Sequence, residues 1–249
     1  MTAKPAAALL LAALLLGACV ARAAEICPAL PSRASLPREA KPEALEVPGW
    51  QEHSNAIDAY LAKQDRGSFR LVFIGDSITA SWDPPIFQKF FGPYSPLLLG
   101  ISGDRTEGVL HRLSRSELTG LHPRVLVLLA GTNNTGGASA PENTALGIAQ
   151  ILRLVHARLP VTKILVLGLL PRGVEGTDPM RLANNRVNAE IARCADNRVV
   201  FYYDAAPRLL DPAGRLTDQM SFDHLHLTPT GYYKLAEGLE PEISRLMAN

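Results

Sequence analysis

Five short apolar runs, at residues 71–74, 97–101, 125–130, 164–169 and 199–203, constrain this chain more than any other feature of it. They are rich in Val, Ile and Leu and do not alternate with polar residues. A strand with one wet face alternates, whereas a strand buried on both faces reads as a continuous apolar run, the mark of a parallel sheet covered by helices. The intervening stretches 106–113, 142–159 and 179–195 carry apolar residues at helical spacing, 228–247 closes the chain likewise, and 54–63 (Ile57, Tyr60, Leu61) adds a helix ahead of the core. Alternation of this kind demands right-handed crossovers. The expected fold is therefore α/β, a three-layer α/β/α sandwich around a five-stranded parallel sheet, in one domain over residues 51–249.

At 249 residues, 47% of them hydrophobic, the chain is long enough to bury a full core. Its 25 basic and 24 acidic residues leave a net charge of +1, so no global electrostatic footprint points to nucleic acid or to an anionic membrane. Three cysteines are too few for a disulfide scaffold or a four-cysteine zinc site.

The first residues read as an address. Lys4 precedes an apolar run at 6–16, too short for a roughly 30 Å hydrocarbon core but suited to a signal peptide over residues 1–23. Ala21-Arg22-Ala23 is a cleavage site of the A-x-A kind, while Leu16-Gly17-Ala18-Cys19 resembles a bacterial lipobox, in which Cys19 would be lipidated and anchor the chain to a membrane. Both exits predict an exported bacterial protein: periplasmic, lipid-anchored or secreted. Residues 24–50, with five prolines, read as an extended arm. In an oxidising compartment Cys27 and Cys194 remain as an even pair, for which a disulfide is expected. The alternative is two unrelated thiols, with Cys194 buried on a helix.

In an open α/β sheet, ligands bind beyond the carboxyl ends of the strands. Four segments at such ends carry chemistry. In Phe73-Ile74-Gly75-Asp76-Ser77-Ile78-Thr79 a strand enters a tight turn and then a helix, which puts Ser77 near unpaired N–H groups. Asp76 and Ser77 are also ordinary helix caps, and no Gly-Lys-Ser/Thr follows to make a phosphate loop. In Gly100-Ile101-Ser102-Gly103-Asp104-Arg105-Thr106, Gly103 can bring its N–H close to a substrate, or the segment can be a plain turn capped by Asp104 or Thr106. In Ala130-Gly131-Thr132-Asn133-Asn134, Asn133 can aim a side-chain N–H at a developing negative charge, though Asn and Gly are routine loop residues.

The fourth segment is 223–232. Asp223 and His226, three residues apart, can fold back so that the carboxylate holds one imidazole nitrogen and leaves the other free as a base. Asp223, His224 and His226 could also ligate a metal, but no further ligands are evident, and we expect neither metal nor organic cofactor. His224 reads as a rim residue, Asp204 as a strand-end turn and Asp218 as a loop cap. His53, His111, His122 and His156 read as structural or surface residues.

Together these segments resemble the SGNH, or GDSL, hydrolase superfamily, whose pattern is G-D-S, then S-G-D, then G-T-N, then D-x-x-H near the C-terminus. The stretch from Gly103 through Leu113, with Gly131 to Asn134, is most similar to the branch around the platelet-activating-factor acetylhydrolase Ib catalytic subunits. The resemblance implies a flavodoxin-like SGNH hydrolase fold. It makes Ser77 the nucleophile, His226 the base and Asp223 its partner. It also forms the oxyanion hole from the N–H groups of Ser77 and Gly103 and the side chain of Asn133. Ile78 replaces the usual leucine, and Arg105 stands where many relatives have Thr. Asp76, Arg105 and His224 are candidate substrate contacts, with Arg105 favouring an anionic or carbohydrate group.

The function so implied is an exported serine esterase acting on short-chain acyl esters, acetyl in particular, with a small ester or an O-acetylated carbohydrate as substrate. Its rival is a non-catalytic ligand- or glycan-binding protein on the same fold. Nothing in the residues fixes the oligomeric state.

Overall fold

The computed structural model describes residues 25–248 apart from Ser32. The expected signal peptide, its cleavage site and the candidate lipidation site Cys19 lie outside the described residues. Five parallel strands, β1 (Leu71–Gly75), β2 (Pro96–Gly100), β3 (Val125–Leu129), β4 (Lys163–Leu167) and β5 (Val200–Tyr203), form one sheet in the order β2-β1-β3-β4-β5. β1 and β3 are buried at every position, so their sequences could not alternate.

The helices follow from that order. Between β1 and β2 the chain steps one way, through α2 (Ser77–Ala80) and α3 (Pro84–Phe91). From β2 to β5 it steps the other way, through α4 (Thr106–Arg115), α5 (Thr132–Gly136), α6 (Pro141–Arg158) and α7 (Pro179–Ala192). After β5 come α8 (Ala206–Leu209) and the long α9 (Pro229–Ala248). Right-handed crossovers in opposite directions put helices on opposite faces. Accordingly α4, α6 and α7 pack together in one layer, and α3, α8 and α9 pack together in the other. The direction reverses between β1 and β3, and a crevice opens at such a switch point, just past the strands' carboxyl ends.

Two glycines set the shape of that crevice. A Cβ on Gly75 would sit 2.2 Å from the Leu129 carbonyl oxygen and 2.3 Å from Thr79 Oγ1, and one on Gly100 would sit 2.4 Å from the Ala80 nitrogen. Only glycine lets α2 fold back this closely onto the sheet. Below α2, Tyr232 of α9 packs at a tilt against Trp82 in a cluster with Phe73, Phe87 and Phe91, and its hydroxyl donates to the Ile78 carbonyl at 2.8 Å.

The arm is packed against the domain. It lies along α4 and α6 as a strap with a single 3-10 turn at Arg38–Ala40, and Ile26, Cys27, Ala40 and Leu45 are buried. Thr106 Oγ1 donates to the Glu39 carbonyl, and the Glu43 N–H to that of Glu107. Cys27 is disulfide-bonded to Cys194 at the end of α7, 167 residues away, and Arg153 of α6 donates to the carbonyls of Cys27 and Leu30. Chain entropy for so long a loop sets an upper limit of about 5 kcal/mol on the stabilisation. The helix that follows, α1 (Trp50–Leu61), begins four residues before the apolar spacing suggests, because Gly49 turns the chain at φ 76°.

Candidate active site

Ser77 is the first residue of α2, just past β1. Its hydroxyl is mostly covered, and Oγ lies 2.8 Å from His226 Nε2. Nδ1 of the same imidazole lies 2.7 Å from Asp223 Oδ2. The loop carrying both residues is tightened by local bonds: Asp223 Oδ1 accepts the N–H groups of Leu225 (3.0 Å) and His226 (2.6 Å), and Ser221 Oγ donates to the His226 carbonyl at 2.7 Å. His224, at φ 58°, makes the reversal that brings residues 223 and 226 together. Partial burial pushes the Asp223 carboxyl up, but the bonds from the His226 side chain and the two backbone N–H groups outweigh it and hold it below its ordinary value. An ionised Asp223 accepts from Nδ1–H, which leaves Nε2 free to take a proton from the serine.

Gly103 and Asn133 follow the carboxyl ends of β2 and β3. Gly103 has φ 75°, and a Cβ there would meet Val47 of the arm at 3.0 Å. The Asn133 amide donates to the Asp104 carbonyl at 2.8 Å, so the two segments are tied to each other. Asp104 is the hub beneath them. Its Oδ1 accepts from Trp50 Nε1 and from the Arg105 N–H, both at 3.0 Å, and Arg112 binds Oδ2 through Nε and Nη2, both at 2.9 Å. Arg112 also holds Glu117 at 2.7 and 2.5 Å, and all three charged side chains are buried. Burial pushes both carboxyls up, and the guanidinium between them opposes it.

Two sequence expectations change here. Asp76 was a candidate substrate contact, but it is fully buried: Oδ1 caps the Ile78 N–H at 2.9 Å and the side chain lies under α2. Desolvation, with a further push from Asp104, moves its carboxyl up to about 7 against the lowering effect of the Ile78 N–H. Asp218 does not cap its loop; it pairs with His224 Nε2 at 2.9 Å. His224 therefore turns away from Asp223, and among the described residues no group of three metal-ligating side chains forms. Arg105 is partly buried, with Nη2 close to Gly137 just past α5, while Arg172 donates to the Thr132 carbonyl at 3.1 Å. Asp204 caps the Ala206 N–H, as a strand-end turn should.

Sequence reasoning missed Trp50, Arg112 and Glu117, which brace the Asp104 hub, and Phe222, whose ring stacks on His226 at 17° with centroids 6.0 Å apart. Only Phe222 carried a readable signal, its place next to Asp223.

Residues 73–234 match the family described as GDSL-like Lipase/Acylhydrolase. Among curated proteins, the chain is 36% identical over 180 residues to human platelet-activating factor acetylhydrolase IB subunit alpha1, covering 72% of this chain and 77% of that one. It is 36% identical over 182 residues to the human alpha2 subunit, covering 71% and 77%. Among solved structures, it resembles a GDSL-like lipase from Bacteroides thetaiotaomicron (TM-score 0.65, 24% identity, 79% of this chain and 97% of that one). It also resembles a carbohydrate acetylesterase family member from Sinorhizobium meliloti (TM-score 0.56, 16% identity, 72% and 99%). The two structural likenesses bear on the fold alone.

Proposed function

This chain belongs to the GDSL-like lipase/acylhydrolase family, and from that premise we propose that it is an exported serine esterase that removes short acyl groups, acetyl above all. The observation that carries this reading is the unbroken hydrogen-bonded line from Ser77 Oγ through His226 to Asp223. In the proposed reaction Ser77 Oγ attacks the acyl carbon while its proton passes to His226 Nε2. The negative charge that develops on the acyl oxygen meets the N–H groups of Ser77 and Gly103 and the Asn133 amide, and Asp223 stabilises the imidazolium. His226 returns the proton to the departing alcohol, leaving an acyl-serine. Water then repeats the sequence and releases the carboxylate. Side chains and water carry every proton and electron pair.

Acetyl preference is supported by the acetylhydrolase subunits among the relatives and by the low aromatic content, 6%. Export, with release after Ala23 or anchoring at Cys19, is supported by the apolar run at 6–16 and by the disulfide between Cys27 and Cys194.

Hydrolysis of p-nitrophenyl acetate, butyrate and octanoate by the wild type and by Ser77→Ala tests the reading. Acetate should be the best substrate, and kcat should fall on the order of 10⁶-fold in the variant. A variant that keeps full activity would overturn the mechanism.

A further inference from the structure

Of the three donors that meet the acyl oxygen in the proposed reaction, two are held in plain ways. The Ser77 N–H opens α2, and the Asn133 amide is tied to the Asp104 carbonyl at 2.8 Å. Gly103 is different. It has no side chain, its φ of 75° lies in the left-handed region, and among the described residues its N–H donates to no protein group. The turn from Ile101 to Asp104 is closed by one backbone bond, from the Asp104 N–H to the Ile101 carbonyl at 3.1 Å. A peptide so lightly held can tilt, and a donor pays its full value to a developing charge only when it is fixed in direction beforehand.

What touches Gly103 is the arm. Val47 Cγ1 lies 3.0 Å from the point where a Cβ on Gly103 would stand, so a valine methyl packs on the face that a side chain would otherwise occupy. Val47 is itself pinned. Its carbonyl accepts the Trp50 N–H at 3.0 Å, and the buried Trp50 donates its indole N–H to Asp104, the residue after Gly103, at 3.0 Å. Just upstream, Leu45 is buried against Gly108 of α4, and the Glu43 N–H donates to the Glu107 carbonyl at 3.1 Å. Residues 43–50 thus seat Val47 and Trp50 on two consecutive residues of the turn that carries the donor.

Resting on the esterase reading, we propose that Val47 is a positioning residue: its side chain holds the Gly103 peptide so that the N–H points at the acyl oxygen. In this role it acts only through the glycine.

The test uses the full mature chain and its Val47→Ala and Val47→Ile variants, with p-nitrophenyl acetate as substrate and 1,1,1-trifluoro-2-butanone as a probe. Ser77 Oγ adds to the ketone carbon, its proton passes to His226, and the adduct leaves a negative oxygen where the acyl oxygen would be, so the Ki reads the oxyanion donors without turnover. Val47 is only partly buried, so Val47→Ala should keep the fold; urea unfolding checks this, and rates are expressed per folded molecule. Its kcat should fall about tenfold with KM little changed, a smaller loss than the roughly 10²–10³ of a donor removed outright, and the Ki should rise by the same factor. Val47→Ile, which keeps a methyl at that place, should match the wild type. If Val47→Ala does not fold, Val47→Leu, which keeps the apolar bulk but loses the branch at Cβ, carries the same expectations. A variant that is less stable yet keeps the wild-type kcat and Ki would make Val47 simple packing and overturn the proposal, as would a loss confined to KM or a fall in kcat with Ki unchanged. Those results leave the esterase reading standing. A wild type that neither hydrolyses the ester nor binds the ketone would overturn that reading and this proposal with it.

Discussion

Asn133 and His226 serve the same serine in the proposed reaction, yet they are held in different ways. Asn133 is tied to Asp104, and Asp104 is gripped by Trp50 from α1, Arg112 from α4 and the Arg105 N–H, in a region closed to water. His226 sits on a short loop, with 29% of its side chain and 40% of that of Asp223 exposed, and its bonds run almost entirely within residues 221–227. The contrast fits the two tasks. A donor to a developing oxyanion works best when fixed in a low dielectric before the reaction begins. A base must exchange its proton with alcohol and water, so it stays at the surface and is shaped by its own loop.

The largest effect should come from the exposed half. Asp223→Asn should lower kcat about 10⁴-fold by favouring the wrong imidazole tautomer. Its Tm should barely change, because only local loop bonds are touched; a large Tm drop would show that this loop is structural after all.

The buried half should respond in the opposite way. Arg112→Met leaves Asp104 and Glu117 buried without their counter-ion and should cost about 3–5 kcal/mol, read by urea unfolding. A nearly neutral result would mean that the hub does not brace the fold. Asn133→Ala, which takes away the donor that this half holds in place, should lower kcat by about 10²–10³ with KM little changed.

The effect that depends on pH concerns Asp76. Its carboxyl titrates near 7 in the fold against an ordinary 3.8. Below 3.8 both states hold the proton and stability is complete; as pH rises towards 7 the unfolded chain ionises first, so stability falls, then levels off above 7. Asp76→Asn should abolish this slope, gaining about 1 kcal/mol per pH unit on the wild type across that window. Parallel stability curves for the two proteins between pH 4 and 7 would contradict it.

The strands were legible because burial on both faces leaves a local trace, a run such as 125–130 with no polar break. The serine, glycine, asparagine and histidine were legible because each ends a strand or fills a short motif. The Asp104 hub was not, because Trp50 and Asp104 meet across 54 residues and Arg112 is one of several charged residues on its helix. Asp76 misled for a related reason: the sequence puts it beside the nucleophile, and only the fold shows that it points beneath α2. The helix α3 was overlooked although its start is written in Asp83-Pro84-Pro85, a cap followed by prolines in the first turn.

Synthesis runs from the N-terminus, so Cys27 is made 167 residues before its partner. At roughly 5–20 residues per second the first thiol waits on the order of 10–30 s. Apart from Cys19, the chain holds no other cysteine before Cys194. The bond to Cys194 therefore works as a timestamp: it can close only after four of the five strands have been made, so its presence certifies a nearly finished molecule.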